Sequence, residues 1–113
     1  MQLLVLILKK VELMEELIKK LAESGVKGGT ILDGTGMAKE LVNMEELPIF
    51  GMLRMLLSDE DKSACKVMML VFKEEAAAAA AKGAIKKVIG DLSIPNTGIM
   101  FSVPITYVEG LGE

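Results

Sequence analysis

The chain has 113 residues, 51% of them hydrophobic and 26% charged, with a formal net charge of −3 and a pI near 5.1. That length makes a single domain spanning 1–113, burying roughly two thirds of its extended surface, and the composition excludes a disordered tail. The acidic balance argues against nucleic acid, whose phosphates call for clustered Lys and Arg. With no His, the side chain that titrates near neutral pH and ligates metals most often is missing. The one Cys, Cys65, cannot form an internal disulfide and points to a reducing compartment, the cytoplasm. A protein that is not an enzyme is the expectation.

In chain order, the apolar run Leu3–Leu8 is far shorter than the roughly 20 residues that span a bilayer and lacks the flanks of a signal peptide. It reads as a buried strand from Leu3 to about Lys9, with no membrane insertion. Leu13, Met14, Leu17, Ile18 and Leu21 then form one stripe of a helix. Glu12, Glu15 and Glu16 lie at its positive end and Lys19 and Lys20 at its negative end, with Glu15–Lys19 and Glu16–Lys20 in the favourable i,i+4 order. Gly25 is placed to cap it. A second strand is predicted from Val26 to about Leu32, ending at the turn Asp33-Gly34-Thr35-Gly36.

The second half repeats this order. Cys65–Phe72 is a strand, and Glu74 and Glu75 open a helix through the alanine tract Ala76–Ala81 to Ile89, with Gly90 after it. Gly83 is a weak point inside that helix. A turn with Pro95, Asn96 and Gly98 leads to a last strand, Ile99 to about Tyr107, placed at a sheet edge by Pro104. The predicted class is α+β, a ferredoxin-like β-α-β-β-α-β sandwich with two helices on one face of an antiparallel sheet. The first and third strands, the two most apolar, belong at its centre.

Neither central strand alternates. Leu3, Val5 and Ile7 oppose Leu4, Leu6 and Leu8; Val67, Met69 and Val71 oppose Met68, Leu70 and Phe72. One face of a two-layer domain is open, so six large apolar side chains are left over. Leaving them wet forfeits on the order of 10 kcal/mol, comparable to the stability of a whole domain. Neighbouring copies are the expected cover; the insert between the second and third strands, about 34–63, is the alternative.

That insert carries its own pattern. Ile49, Met52, Leu53, Leu56 and Leu57 make a short amphipathic helix after Pro48, and Met37, Leu41 and Met44 suggest another turn. Flexible Met side chains suit adaptable binding surfaces. Two uses remain open: covering the insert's own junction with the core, or docking a partner through Leu47, Ile49, Phe50, Met52, Leu53 and Arg54. Asp59-Glu60-Asp61 is a solvated turn.

A ferredoxin-like chain with a long connector after its second strand resembles the nitrogen-regulatory P-II superfamily. The resemblance covers nearly the whole chain, and its most specific stretch is Gly25-Val26-Lys27-Gly28-Gly29-Thr30-Ile31 followed by Gly36; Ile99-Met100-Phe101-Ser102-Val103 is similar as well. It implies a homotrimer whose sheets line a central barrel, with adenine nucleotides as effectors in clefts between subunits and a loop that reports the ligand to an enzyme or transporter. Carried over by position, Gly28, Gly29 and Thr30 would face the base, Gly36 and Lys39 the loop root, and Gly90, Asp91 and Gly98 the turn after the second helix. Where members of the family neutralise phosphates with a Lys and two further basic residues, this chain has Gly98, Glu109 and Leu111, so a polyphosphate meets a carboxylate. The insert also lacks the Tyr that some members modify.

Three functions follow: a signalling protein that binds a small ligand and docks a partner through 34–63; a structural interaction module with no ligand; and metal handling, as in trimeric divalent-cation-tolerance proteins of similar topology. No His and one Cys give little for a soft metal, and no metal site is expected. Cys65 has no His to activate it, and no catalytic residue stands out.

Overall fold

A computed structural model describes residues 1–37 and 64–112. Lys39 and the partner-facing set Leu47, Ile49, Phe50, Met52, Leu53 and Arg54 lie outside the described residues, as does the amphipathic helix expected after Pro48. The described chain forms β1 (Gln2–Leu8), a 3-10 turn (Val11–Leu13), α1 (Met14–Glu23), β2 (Thr30–Thr35), β3 (Ala64–Phe72), α2 (Glu75–Ile89) and β4 (Gly98–Pro104). The four strands make one sheet in the order β2-β3-β1-β4, and every neighbouring pair is antiparallel. The most apolar strands, β1 and β3, hold the centre, and Pro104 ends an edge strand.

Strand alternation divides the apolar side chains between two faces. Leu4, Leu6, Leu8, Met68, Leu70 and Phe72 point to the helices, where they bury with Leu17 and Leu21 of α1 and Ala78, Ala81 and Ile85 of α2. Alanine has a packing use here. Its small side chain lets α2 approach α1 and the sheet closely, and Ala78 and Ala81 are fully buried. Of the expected stripe, α1 buries Met14, Leu17 and Leu21, and Leu13 of the 3-10 turn packs partly buried against them, whereas Ile18 is exposed. Gly25 follows α1 with φ +95°, a left-handed conformation in which a Cβ would be strained.

Several boundaries differ from the sequence expectation. Val26–Gly29 is not strand; the β2 ladder starts at Thr30 and runs on through Asp33-Gly34-Thr35, the stretch expected to turn. Cross-strand pairing explains the extension. Gly34 lies opposite Cys65, where a Cβ would come within 2.7 Å of the Cys65 Sγ, so the glycine serves a close strand approach. Lys66 of β3 pairs with Asp33 directly opposite it on β2. β4 stops at Pro104, and Ile105 instead donates its N–H to the carbonyl of Met1 (3.1 Å). On α1, Glu15–Lys19 forms at 3.8 Å, but Lys20 pairs with Glu23 at 3.7 Å rather than with Glu16.

Candidate functional site

The face away from the helices is apolar except for Thr30 at its β2 edge. Pairing aligns three rows across it: Val71–Leu3–Val103, then Thr30–Met69–Val5–Phe101, then Leu32–Val67–Ile7–Ile99. No charged residue stands in these rows. The centre is shielded by its neighbours, so Val5 is buried, whereas Leu32, Val71, Ile99, Phe101 and Val103 are 38% to 53% exposed. The six side chains left over on the central strands thus become ten when the edges are added. Cys65, a half-buried free thiol on β3, lies opposite Gly34.

At the end of the sheet where β1 begins, this face runs into a cleft of about 650 Å³. Its first wall is the segment from Ser24 through Thr30, left outside the ladder because β2 starts late. Its second wall is the end of β3 with the opening of α2, including Met69, Val71, Lys73, Glu74 and Ala77. Gly110 and Leu111 complete it, because the tail after β4 passes Met1 and crosses this end of the molecule. Met69 and Val71 belong both to the cleft and to the apolar rows. On the helix side, Gly28 and Gly29 also line an apolar notch of about 270 Å³ between Ile18 and Ile31.

Gly28, Gly29 and Thr30 are therefore brought together, beside the cleft. The other positions are not. Gly36 lies past the far end of β2, while Gly98 begins β4 opposite Leu8, fed by the turn that contains Gly90 and Asp91. Strand spacing puts Gly98 roughly 20 Å from Gly28 within one copy. A site combining both groups needs a second copy to bring its β4 edge to the β2 edge of the first.

The local geometry also separates glycines that serve the fold from one that does not. A Cβ on Gly98 would sit 2.8 Å from the Ile7 backbone carbonyl oxygen. One on Gly29 would collide with the Leu70 side chain and come within 3.2 Å of the Met69 carbonyl. Gly90 terminates α2 at φ +85°, donating to Lys86 O at 2.8 Å. Gly28 has neither constraint: nothing lies within 4 Å of its Cβ position, and its φ is not left-handed. Asp91 accepts from the Ser93 N–H (2.9 Å) and Oγ (2.7 Å), closing an Asx turn; the hydroxyl bond, then the backbone one, holds its carboxyl below the usual range.

Electrostatics of the cleft are mixed. Lys27, Lys73 and Glu74 are all among its lining residues. Two further carboxylates adjoin lining residues in the sequence and keep their charge: Glu75 accepts from Gln2 Nε2 (2.9 Å), and Glu109 accepts from the Tyr107 hydroxyl, which keeps that phenol protonated above its ordinary range. Lys73, Ala77 and Gly110 were not singled out by sequence reasoning; the tail glycines Gly110 and Gly112, both at positive φ, were the available sign that the chain turns there. Among the described residues no three His, Cys, Asp or Glu side chains converge as a metal site requires, and no helix is long and apolar enough to cross a membrane. No protein-family model matches the sequence, and no curated protein matches it.

Proposed function

We propose that the chain is a non-catalytic, P-II-like regulatory protein with the ferredoxin-like split arrangement, assembling as a homotrimer in the cytoplasm. Each cleft takes a small ligand at Gly28, Gly29 and Thr30, and the 34–63 segment docks a partner enzyme or transporter. The carrying observation is the charge-free sheet face that runs into the cleft through Met69 and Val71.

Two physical arguments support the assembly. Covering five side chains that are 38% to 53% exposed contributes about 1 kcal/mol each, roughly 5 kcal/mol per copy before the entropy of association. Strand direction supplies the second. The order β2-β3-β1-β4 alternates in direction, so β4 of one copy beside β2 of the next continues the alternation with the apolar face on the same side. Such a head-to-tail contact either closes into a ring or grows into a filament, and closure leaves no edge exposed. It also brings Gly98 and Asp91 of one copy toward the β2 edge of another.

The fold roles of Gly29, Gly90 and Gly98 favour a second reading, a structural interaction module with no ligand. Both readings are tested with Phe101→Glu, which puts a carboxylate at the middle of the face. Light scattering should show the wild type as an assembly and the variant as a monomer with an unchanged circular dichroism spectrum. A variant with the wild-type mass refutes assembly through this face, and a monomeric wild type refutes the assembly itself. Thermal shift with adenine nucleotides and cyclic dinucleotides then tests the sensor: stabilisation supports it, and no response from any nucleotide means that the cleft is unoccupied or takes a ligand of different chemistry.

A further inference from the structure

Resting on the assembly proposed above, we infer that the junction between copies is a β-ladder in one register: Ile31, Asp33 and Thr35 of β2 pair with Ser102, Met100 and Gly98 of β4 in the next copy. Hydrogen-bond parity is the first argument. Lys9 donates to the Thr97 carbonyl at one end of the β1–β4 ladder and Ile105 to the Met1 carbonyl at the other, so odd-numbered residues of β1 bond odd-numbered residues of β4. The N–H and C=O of a strand residue point to one side, and that side alternates along the chain. Even-numbered β1 residues therefore bond β3, and odd-numbered β3 residues bond β2. The groups facing outward are then those of Ile31, Asp33 and Thr35 on one edge and of Gly98, Met100 and Ser102 on the other. Pro104, which has no N–H, also faces outward, so its own ladder loses nothing. Among the described residues no strand pairs with either edge.

Counting donors then chooses the register. The stated pairing uses all three outward residues of each strand, each of them donating and accepting. Sliding β4 by two residues one way sets Pro104 opposite Ile31 and loses a donor. Sliding it the other way sets Ser102 opposite Gly29, which precedes the β2 ladder, and Thr35 opposite Asn96 in the turn. That pairing also joins Ile31 to Met100, already in one row with Met68 and Leu6, so a ring would close without the stagger that tilted strands require. In the stated register Leu32 meets Phe101 and Thr30 meets Val103 on the apolar face. Continued past Thr30, it sets Pro104 and Ile105 of the next copy beside Gly29 and Gly28, so a second chain backs the first wall of the cleft. Gly98 of that copy falls beside Thr35, at the other end of β2.

Hydrogen exchange of the full wild-type chain, read by amide NMR, tests the ladder without any substitution. On a free edge the Phe101 and Val103 amides are protected by β1 while those of Met100 and Ser102 exchange fast. In the assembly Met100 and Ser102 should match Phe101 and Val103, and Ile31 and Asp33 should match Leu32, within about tenfold. Register is read from disulfides formed on mild oxidation in a Cys65→Ser background. Residues 30 and 103 lie on opposite edges of one copy, roughly 14 Å apart, so a bond between cysteines placed there joins two copies. Thr30→Cys with Val103→Cys sets them in a non-hydrogen-bonded pair about 4.5 Å apart at Cα and should yield linked chains on a non-reducing gel. Gly28→Cys or Leu32→Cys with Val103→Cys, each one step of register away, should link at least about tenfold more slowly. A trimer in which the Thr30 and Val103 pair does not link, or links more slowly than a displaced pair, overturns the register. A trimer whose Met100 and Ser102 amides exchange fast overturns the ladder and leaves the assembly standing, whereas a monomeric wild type overturns both.

Discussion

Exchanging two glycines for alanine, one at a time, asks which of them belong to the fold. At Gly98 the added methyl group meets the Ile7 carbonyl oxygen at 2.8 Å, with the Leu8 Cα at 3.5 Å. Neither atom can swing aside, because both belong to the backbone of the central strand β1. The β1–β4 ladder must therefore open locally, and strain of this kind costs about 1–3 kcal/mol. For a domain of this size that lowers the melting temperature by roughly 5–15 °C. At Gly28 the same methyl group meets nothing, and restricting the unfolded chain stabilises by about 0.4–1 kcal/mol. The melting temperature of Gly28→Ala should accordingly stay level or rise by a few degrees, roughly 2–6 °C. Differential scanning calorimetry of both variants at one protein concentration decides the matter. If Gly28→Ala costs as much as Gly98→Ala, the separation of fold glycine from site glycine fails.

Gly83, inside α2 with open space at its Cβ position, should give about 0.5–1 kcal/mol of added stability on replacement by Ala, read from urea unfolding; a loss would mean that α2 packs more tightly there than its geometry shows. Thr97 is 1% exposed, and its hydroxyl has no partner among the described residues, although its carbonyl accepts from the Lys9 and Lys10 N–H groups at 3.0 and 3.4 Å. Thr97→Val should therefore stabilise by roughly 1 kcal/mol in the same assay, and destabilisation would reveal a partner for the hydroxyl. Tyr107, the chain's single tyrosine, has its pKa raised by donating to Glu109. A raised folded pKa means the interaction is fully present below the ordinary value near 10 and is lost as pH rises through the folded one. Ultraviolet titration should show tyrosinate forming at lower pH in Glu109→Gln, and an unchanged curve would contradict the contact.

Much of the architecture was legible because it depends on patterns that local chemistry cannot easily override. Leu3–Leu8 and Val67–Phe72 are unbroken apolar runs, and only strands at the centre of a sheet accept side chains of that kind on both faces. The stripe of Met14, Leu17 and Leu21 and the capping glycines Gly25 and Gly90 fixed both helices for equally plain reasons. β2 was misplaced because Asp-Gly-Thr-Gly carries turn residues, while its conformation is decided by pairing with Ala64–Lys66, a partner about 30 residues away. The candidate site was half legible. Gly28–Thr30 does line a cleft, but its far wall is made by Lys73, Ala77 and the tail at Gly110, which only the crossing of that tail brings near. Nor does glycine-rich composition tell a close strand approach from room for a ligand. That distinction needed the Ile7 carbonyl beside Gly98 and the open space beside Gly28.

The central claim is that other copies of this chain cover the sheet face bearing Leu32, Val71, Ile99, Phe101 and Val103. Sedimentation equilibrium of the untagged wild-type protein, followed through micromolar dilution, measures it most directly. A single species of three 12.2 kDa chains is the predicted result, and one 12.2 kDa chain at every concentration would contradict it.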